Sequence, residues 1–131
     1  MKALDSNVLL RYLVEDDPAQ TRQAAKVIED AARREEPLFL SLLVLCEVVW
    51  VLDRSYAQSR SAICGVLERL LDTDAFQIER EDLASRCVGE FRTGKAGFAD
   101  FLIGAIAQKA GYERVYTFDK DLRGAPGFHV L

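Results

Sequence analysis

Short apolar runs alternate along the chain with longer segments in which apolar residues recur at helical spacing. The runs predict strands at residues 2–4, 38–40, 76–78 and 114–117, with 128–130 as a candidate fifth. The longer segments predict helices at 7–14, 19–34, 42–52, 59–71, 82–91 and 98–110. Strands separated by helices favour a parallel sheet that is covered on both faces. The pattern therefore predicts an α/β sandwich.

Capping and turn residues support several of these boundaries. Ser6 and Ser41 are each placed to cap the helix that follows, and Pro18 suits the first turn of the second helix. Gly111 stands where a helix ending at residue 110 usually has its C-terminal glycine. We expect these residues to fix the ends of the helices.

Four acidic residues stand beside or inside the apolar segments: Asp5 in KALDSNVLL, Glu47 in LVLCEVVWVL, Asp100 in GFADFLIGA and Asp119 in RVYTFDKDL. If these segments form the core, an unpaired carboxylate there is costly, and something positive is expected among them. Two carboxylates roughly 5 Å apart repel by about 3 kcal/mol at an effective dielectric of roughly 20. Mg²⁺ or Mn²⁺, which prefer oxygen ligands, would remove this repulsion.

The predicted topology gives these acids a common location. Ligands of parallel α/β sheets bind outside the carboxyl ends of strands, where Asp5 and Asp119 are expected. Glu47 and Asp100 would then be presented by helices that pack over this edge. Each acid alone also has a simpler interpretation. Asp5, Asp119 and Asp121 suit turns, Asp100 suits the N-terminus of a helix, and Glu47 could be a solvated side chain.

Length and composition predict a single domain, residues 1–131, because the chain is 50% hydrophobic and long enough for one core. No apolar run is long enough for a membrane span, and Asp5 interrupts the stretch that a signal peptide would need. We therefore expect a cytoplasmic protein without a membrane partner. Cys46, Cys64 and Cys87 lack C-x-x-C spacing and are expected to be reduced core thiols.

The net charge of −4 argues against a nucleic-acid partner, but the average misleads if the acids are concentrated in one site. Setting aside the four candidate ligands leaves 17 acids against 17 lysine and arginine residues. One hypothesis is a basic rim around an acidic centre, and the alternative is scattered solvated charges. The candidate rim residues lie near the motifs: Arg11, Arg92, Lys95, Lys120 and Arg123.

Four motifs, in this order and spacing, resemble the PIN domain and most closely the VapC-type toxins of bacterial toxin–antitoxin pairs: LDSNVLLRYL, LVLCEVVWVL, GFADFLIGAIAQKAG and VYTFDKDL. The resemblance covers nearly the whole chain. It implies a three-layer α/β sandwich with a central parallel sheet of four or five strands flanked by helices. It also implies that the first acid of each motif is a catalytic metal ligand, which maps to Asp5, Glu47, Asp100 and Asp119.

Four further residues match supporting positions of the family. The resemblance implies that Asn7 helps to order the first acid and that Thr117 supports the fourth. Ser6 stands where the family more often has threonine, and this difference keeps the hydroxyl. Asp121 matches a frequent family acid that contacts either the metal or a basic neighbour.

The residue types also indicate the chemistry. Carboxylates without a histidine or cysteine cluster favour Mg²⁺ or Mn²⁺ over Zn²⁺. Because no Ser-His or Cys-His pair lies near the motifs, water is the expected nucleophile, and His129 is expected to be structural. Together with the resemblance, this predicts a metal-dependent endoribonuclease that hydrolyses RNA phosphodiester bonds and acts as the toxin of a toxin–antitoxin pair.

The resemblance further implies a homodimer and a small cognate antitoxin, whose basic side chain enters the acidic site. Trp50 and the apolar first helix fit either such an interface or ordinary core. Two PIN alternatives stay open: an RNA-processing nuclease that is not a toxin, and a non-catalytic module that binds RNA or protein. A phosphoacceptor receiver domain is a third alternative, but it would have paired acids after the first strand, where this chain has only Asp5.

Overall fold

The computed structural model describes residues 1–131 and has the alternating helices and strands that the sequence predicts. The helices are α1 Ser6–Val14, α2 Pro18–Arg33, α3 Leu42–Arg54, α4 Arg60–Asp72, α5 Glu81–Thr93 and α6 Phe98–Lys109. The strands are β1 Leu38–Leu40, β2 Phe76–Ile78, β3 Val115–Thr117 and β4 Phe128–Val130, and a short 3₁₀ helix covers Lys120–Leu122. None of the helices combines the length and the apolar character that crossing a bilayer requires.

All strand pairing is parallel, as expected for an α/β sandwich. Strand β1 pairs with β2, and β3 pairs with β4, so the strands form two separate two-stranded sheets and not the expected single sheet of four or five strands. The predicted first strand at residues 2–4 is reduced to a single bridge, in which Ala3 lies opposite Phe39 of β1. Two hydrogen bonds hold it: the N–H of Leu4 donates to the Phe39 carbonyl at 3.1 Å, and the N–H of Phe39 donates to the Lys2 carbonyl at 2.9 Å. The segment ends there because Asp5 already caps α1.

The core forms one cluster of 31 buried residues to which most of the elements contribute. Helix α3 buries Leu45, Val48 and Leu52, which recur at helical spacing along one face. Cys64 and Cys87 are buried, and burial raises the pKa of Cys87 to about 12. All three cysteines are free, which confirms the expected thiols, although Cys46 is only partly buried.

Most predicted caps are confirmed. The Ser41 hydroxyl accepts a hydrogen bond from the N–H of Val44 at the start of α3. Pro18 occupies the first turn of α2 behind the capping carboxylate of Asp17. Gly111 follows α6 with a φ of +91°, a left-handed conformation that glycine adopts without strain.

Helix α6 packs closely against strand β4 at a glycine. A Cβ atom built on Gly104 would lie 2.6 and 2.7 Å from two ring carbons of Phe128. The aromatic ring therefore rests directly on the backbone of α6. This contact joins the helix that carries Asp100 to the strand pair that precedes and follows Asp119.

Candidate active site

The four predicted acids all lie at the protein surface. No charged side chain is buried anywhere in the chain, and Asp5 and Glu47 are exposed, while Asp100 and Asp119 are partly buried. The premise that these carboxylates lie in the core was therefore wrong. Helix α3 is so apolar because, besides its buried face, it carries exposed Leu43 and Trp50. These side chains are 69% and 61% exposed.

Helices α3 and α6 bring two of the four acids to one cleft. This cleft has a volume of about 1040 Å³, and the carboxylates of Glu47 and Asp100 line it together with Asp121. Positive and aromatic side chains also line it, namely Trp50, Arg54, Arg60 and Lys95. With Asp53, which also lines it, the cleft combines four carboxylates with three cationic side chains.

The two strand-end acids do not line this cleft. Asp5 lines a second cleft of about 280 Å³, which it shares with Asn7 and Arg11. Asp119 is connected to the first cleft through Asp121, whose N–H donates to the Asp119 Oδ1 at 2.9 Å. Glu47, Asp100 and Asp121 thus line one cleft, and hydrogen bonds of Ser6 and Asp121 connect the segments of Asp5 and Asp119 to it.

The turn after the first extended segment links the two clefts. The Asp5 Oδ1 accepts a hydrogen bond from the N–H of Val8 at 3.0 Å, so Asp5 is the N-cap of α1. The prediction that Ser6 is this cap was therefore wrong. With the capping position filled by Asp5, the Ser6 hydroxyl instead donates to the Glu47 Oε2 at 2.6 Å. Adjacent residues thus contact the helix start and a site acid.

Asp100 lies in the first turn of α6, where its Oδ2 accepts a hydrogen bond from the N–H of Gly97 at 3.0 Å. The helical macrodipole also favours a carboxylate at this position. The residue that precedes Gly97 is held by Arg60, which sequence reasoning missed. The Arg60 guanidinium donates to the Ala96 carbonyl at 2.7 Å.

The end of β3 holds Asp119 by short-range contacts. The Thr117 hydroxyl accepts a hydrogen bond from the N–H of Asp119 at 3.0 Å, so Thr117 orients the backbone of this acid. The Asp119 side chain in turn caps the 3₁₀ helix that contains Asp121. Asp119 and Asp121 are therefore turn residues, as the simpler interpretation predicts. The second carboxylate oxygen of Asp119 takes no part in the hydrogen bond to the Asp121 N–H.

The donor chemistry of the site fits a hard divalent cation, because only carboxylate oxygens are offered by the predicted ligands. In each of the four predicted ligands, one oxygen accepts a hydrogen bond from the protein. The side chains are nonetheless spread out: no three histidine, cysteine, aspartate or glutamate residues lie close enough together to hold a metal ion. The metal-binding roles of the four acids remain predictions.

Cys46 also lines the cleft, directly before Glu47. Burial, and to a smaller extent the negative charge of Glu47, raises the pKa of the Cys46 thiol. A thiol that resists ionisation is a poor nucleophile. His129 packs its ring edge-on against Tyr116 of β3, with ring centroids 5.6 Å apart. The Cys46 thiol is therefore not activated for attack, and the structural role expected for His129 stays a prediction.

The candidate basic rim is only partly free. Arg11 pairs with Asp16 at 2.9 Å, and Arg92 pairs with Glu68, so both charges are compensated on the protein itself. Lys95 lines the cleft. Lys120 and Arg123, which lie on either side of Asp121 and Leu122, are exposed.

Sequence comparison identifies the class of this protein. The sequence model described as "PIN domain" matches residues 2–127, so the chain belongs to the PIN domain family. It is similar to a VapC ribonuclease from Aquifex aeolicus (strain VF5), with 28% identity over 121 residues. That alignment covers 92% of this chain and 88% of the Aquifex protein. No solved structure matches the chain significantly.

Proposed function

We propose that this protein is a metal-dependent endoribonuclease that hydrolyses RNA phosphodiester bonds and serves as the toxin of a toxin–antitoxin pair. The observation that carries the proposal is the cleft in which Glu47 of α3 and Asp100 of α6 lie together. Membership of the PIN family and the similarity to a VapC ribonuclease over nearly the whole chain support it.

In this proposal, Asp5, Glu47, Asp100 and Asp119 hold Mg²⁺ or Mn²⁺. When bound, the cation lowers the pKa of water and neutralises charge on the reacting phosphate. The protein's own contribution is to fix the carboxylates: the Ser6 hydroxyl holds Glu47, and the N–H of Gly97 holds Asp100. These hydrogen bonds hold one oxygen of each carboxylate in place. The second oxygen of each carboxylate accepts no hydrogen bond from the protein.

We further propose that uncompensated lysine and arginine side chains bind the RNA backbone. Lys95 lines the cleft beside Asp100, and Lys120 and Arg123 are exposed next to Asp121. Phosphate contacts of this kind position the nucleic acid and carry no sequence information by themselves. Binding should therefore weaken with increasing salt.

The proposed partners are a second copy of the chain and a small antitoxin. Exposed apolar side chains lie on the same faces as the site acids: Leu43 and Trp50 are one helical turn on either side of Glu47, and Ile103 is one turn after Asp100. Contiguous exposed apolar surface often marks a protein interface. A basic side chain of the antitoxin would complement the carboxylates of the cleft.

The test of activity is cleavage of a panel of transfer, ribosomal and messenger RNA by the purified protein. Reactions contain Mg²⁺, Mn²⁺ or a chelator, and wild type is compared with Asp100→Asn. Asp53→Asn is the matched control, because Asp53 lines the same cleft without being a predicted ligand. We expect metal-dependent cuts that persist in the control and disappear in Asp100→Asn. If the wild type binds RNA in the presence of Mg²⁺ or Mn²⁺ but cleaves no member of the panel, the non-catalytic alternative is favoured.

Association is tested separately. Light scattering after size-exclusion chromatography should give the mass of a dimer for wild type and of a monomer for Trp50→Ala combined with Ile103→Ala. A monomeric wild type at micromolar concentration would contradict the dimer. A small reading frame adjacent to the gene, whose product abolishes cleavage, would distinguish a toxin from an RNA-processing enzyme.

A further inference from the structure

Arg60, at the first position of α4, makes an unusual set of contacts for a surface arginine. Its guanidinium donates to three backbone carbonyls and to no side chain: Phe91 at 2.8 Å, Lys95 at 2.8 Å and Ala96 at 2.7 Å. The same group stacks over the Phe91 ring, 4.3 Å from its centroid. One side chain of α4 therefore binds the end of α5 and the connection between α5 and α6.

These carbonyls need an external donor. The last carbonyls of a helix have no partner within the helix, and a positive charge near them is also favoured by the macrodipole. Phe91 belongs to the last turn of α5, which ends at Thr93. The planar fork of Arg60 supplies parallel donors to these groups and a flat face to the aromatic ring, a combination that a lysine does not reproduce.

The contact with Ala96 reaches the predicted active site through a single peptide group. The carbonyl of Ala96 and the N–H of Gly97 belong to the same planar unit. Arg60 donates to the carbonyl side, and the N–H side donates to the Asp100 Oδ2 at 3.0 Å. Fixing one side of a planar group fixes the direction of the other, and hydrogen bonds in series strengthen one another.

We propose that Arg60 is a positioning residue for the carboxylate of Asp100. It acts through the 96–97 peptide group, which it orients so that the Gly97 N–H points at Asp100. The positive charge of Arg60 is secondary in this role. The proposal rests on the proposed function only insofar as Asp100 binds a metal ion, because the orientation of Gly97 can be measured without metal or RNA.

The primary experiment measures hydrogen exchange of the Gly97 amide in metal-free protein, with NMR as the detection method. In Arg60→Gln we expect exchange to accelerate several-fold and the Gly97 amide resonance to move, because its acceptor is no longer aligned. Arg54→Gln is the matched control. It removes a positive charge from the same cleft, but the Arg54 guanidinium lies over Trp50 at 6.0 Å and does not contact the α5–α6 connection. The control should leave Gly97 unchanged.

The second measurement is the affinity for Mn²⁺, determined by titration with electron paramagnetic resonance. Groups that orient a metal ligand typically contribute about 10- to 100-fold to metal affinity, and we expect a loss in this range for Arg60→Gln. Arg60→Lys keeps the charge but loses the fork, and it should be intermediate. Removing a positive charge beside a cation site by itself favours cation binding, so Arg54→Gln should not lower Mn²⁺ affinity. A loss in Arg60→Gln no larger than that in Arg54→Gln would overturn the proposal.

A double-mutant cycle tests whether Arg60 acts through Asp100. Asp100→Ala removes the carboxylate that accepts from the Gly97 N–H. If Arg60 acts by positioning this carboxylate, Arg60→Gln should lower Mn²⁺ affinity no further in the Asp100→Ala background. Additive losses would overturn the proposal.

Two outcomes separate this inference from the proposed function. Unchanged Gly97 exchange in a folded Arg60→Gln protein would overturn the role of Arg60 and leave ribonuclease activity untouched. A wild type that neither binds Mn²⁺ nor cleaves RNA would remove the proposed function, and the exchange measurement would still decide the role of Arg60. If Arg60→Gln does not fold, Arg60→Lys carries the same comparison.

Discussion

The two strand-end acids and the two helix-borne acids of the candidate site are held in different ways. Asp5 and Asp119 make hydrogen bonds to backbone N–H groups only three and two residues away in the chain. Glu47 is held by Ser6, 41 residues away. Asp100 also accepts from an N–H only three residues away, but the peptide group that carries this N–H is itself held by Arg60, 36 residues from Ala96.

The difference teaches which part of the site depends on tertiary structure. A carboxylate fixed by its own turn keeps its position as long as that turn forms. A carboxylate fixed by a distant residue keeps its position only while the elements stay packed, because the donor and acceptor are brought together by the fold. We therefore expect mutations in the core to disturb the positions of Glu47 and Asp100 before those of Asp5 and Asp119.

The largest effect should come from the core beneath the helix-borne acids. Phe98 is 1% exposed and packs edge-on against Phe91, with ring centroids 6.1 Å apart. Phe98→Ala should lower the free energy of unfolding by about 3–5 kcal/mol, as measured by urea denaturation. Phe118→Ala, directly before Asp119, is the matched control and should cost little, since that side chain is 81% exposed. Equal losses would remove the contrast between the two regions.

The carboxylate of Asp100 gives the next effect. Asp100→Asn should reduce the rate of RNA cleavage by more than about 100-fold. Groups that only orient a metal ligand contribute up to about 100-fold, and a ligand itself should contribute more. Stability should change little, because the asparagine oxygen can still accept from the N–H of Gly97. The two quantities are measured on the same preparation by initial rates and thermal unfolding. A large fall in melting temperature would indicate a structural role instead.

The long-range bond to Glu47 should matter less than a ligand. Ser6→Ala is expected to lower metal affinity by about 10-fold and stability by about 1 kcal/mol, because Glu47 loses its donor. Ser6→Thr keeps the hydroxyl and should behave like wild type. Calorimetric titration with Mn²⁺ checks both variants, and equal affinity of Ser6→Ala and Ser6→Thr would argue against a role for this hydrogen bond.

At Asp5, two substitutions separate capping from charge. Asp5→Ala should be less stable than Asp5→Asn by about 1 kcal/mol, since asparagine retains a capping oxygen for the N–H of Val8. Both variants lose the negative charge, and both should lose the same metal affinity. Chemical denaturation and Mn²⁺ titration measure the two quantities independently. A difference in affinity between the variants would mean that the cap itself positions the site.

The smallest effect should be a pH-dependent change in protein stability. It comes from a contact between the α1–α2 connection and the segment that follows α3. The Tyr56 hydroxyl donates to the Asp16 carboxylate, and with the Arg11 charge it lowers the pKa of Asp16 below its ordinary value of 3.8. A lowered pKa stabilises the folded protein above pH 3.8, and this stabilisation is lost as the pH falls through the folded-state pKa. Tyr56→Phe should therefore be less stable than wild type at neutral pH. The two unfolding midpoints should converge in acid, and a constant difference would contradict this linkage.

Local patterns made much of the fold predictable. Every helix begins and ends within two residues of its predicted bounds, because hydrophobic spacing and the caps at Ser41 and Ser59 act over a few residues. The sequence did not distinguish Asp5 from Ser6 as the cap of α1, since both residue types suit that position. It also could not show that Glu47 is exposed, because exposed apolar neighbours give α3 the composition of a buried helix.

Arg60 had no signal in the sequence. All of its hydrogen-bond partners are backbone carbonyls, and such acceptors are present at every residue. Only the packing of α4 against α5 selects which carbonyls it reaches. The motifs name acids that could bind a metal ion, whereas the residues that hold these acids in place become visible only in three dimensions.

The absence of a side chain at Gly104 sets how far α6 can stand from β4. Because the Phe128 ring already occupies the place of a Cβ atom, even one methyl group would act as a spacer between the helix and the strand. The gap between Asp100 and Asp119 would widen although neither acid had changed. Gly104 therefore controls the spacing of the candidate site although it has no functional group, and Gly104→Ala should weaken metal binding by separating Asp100 from Asp119.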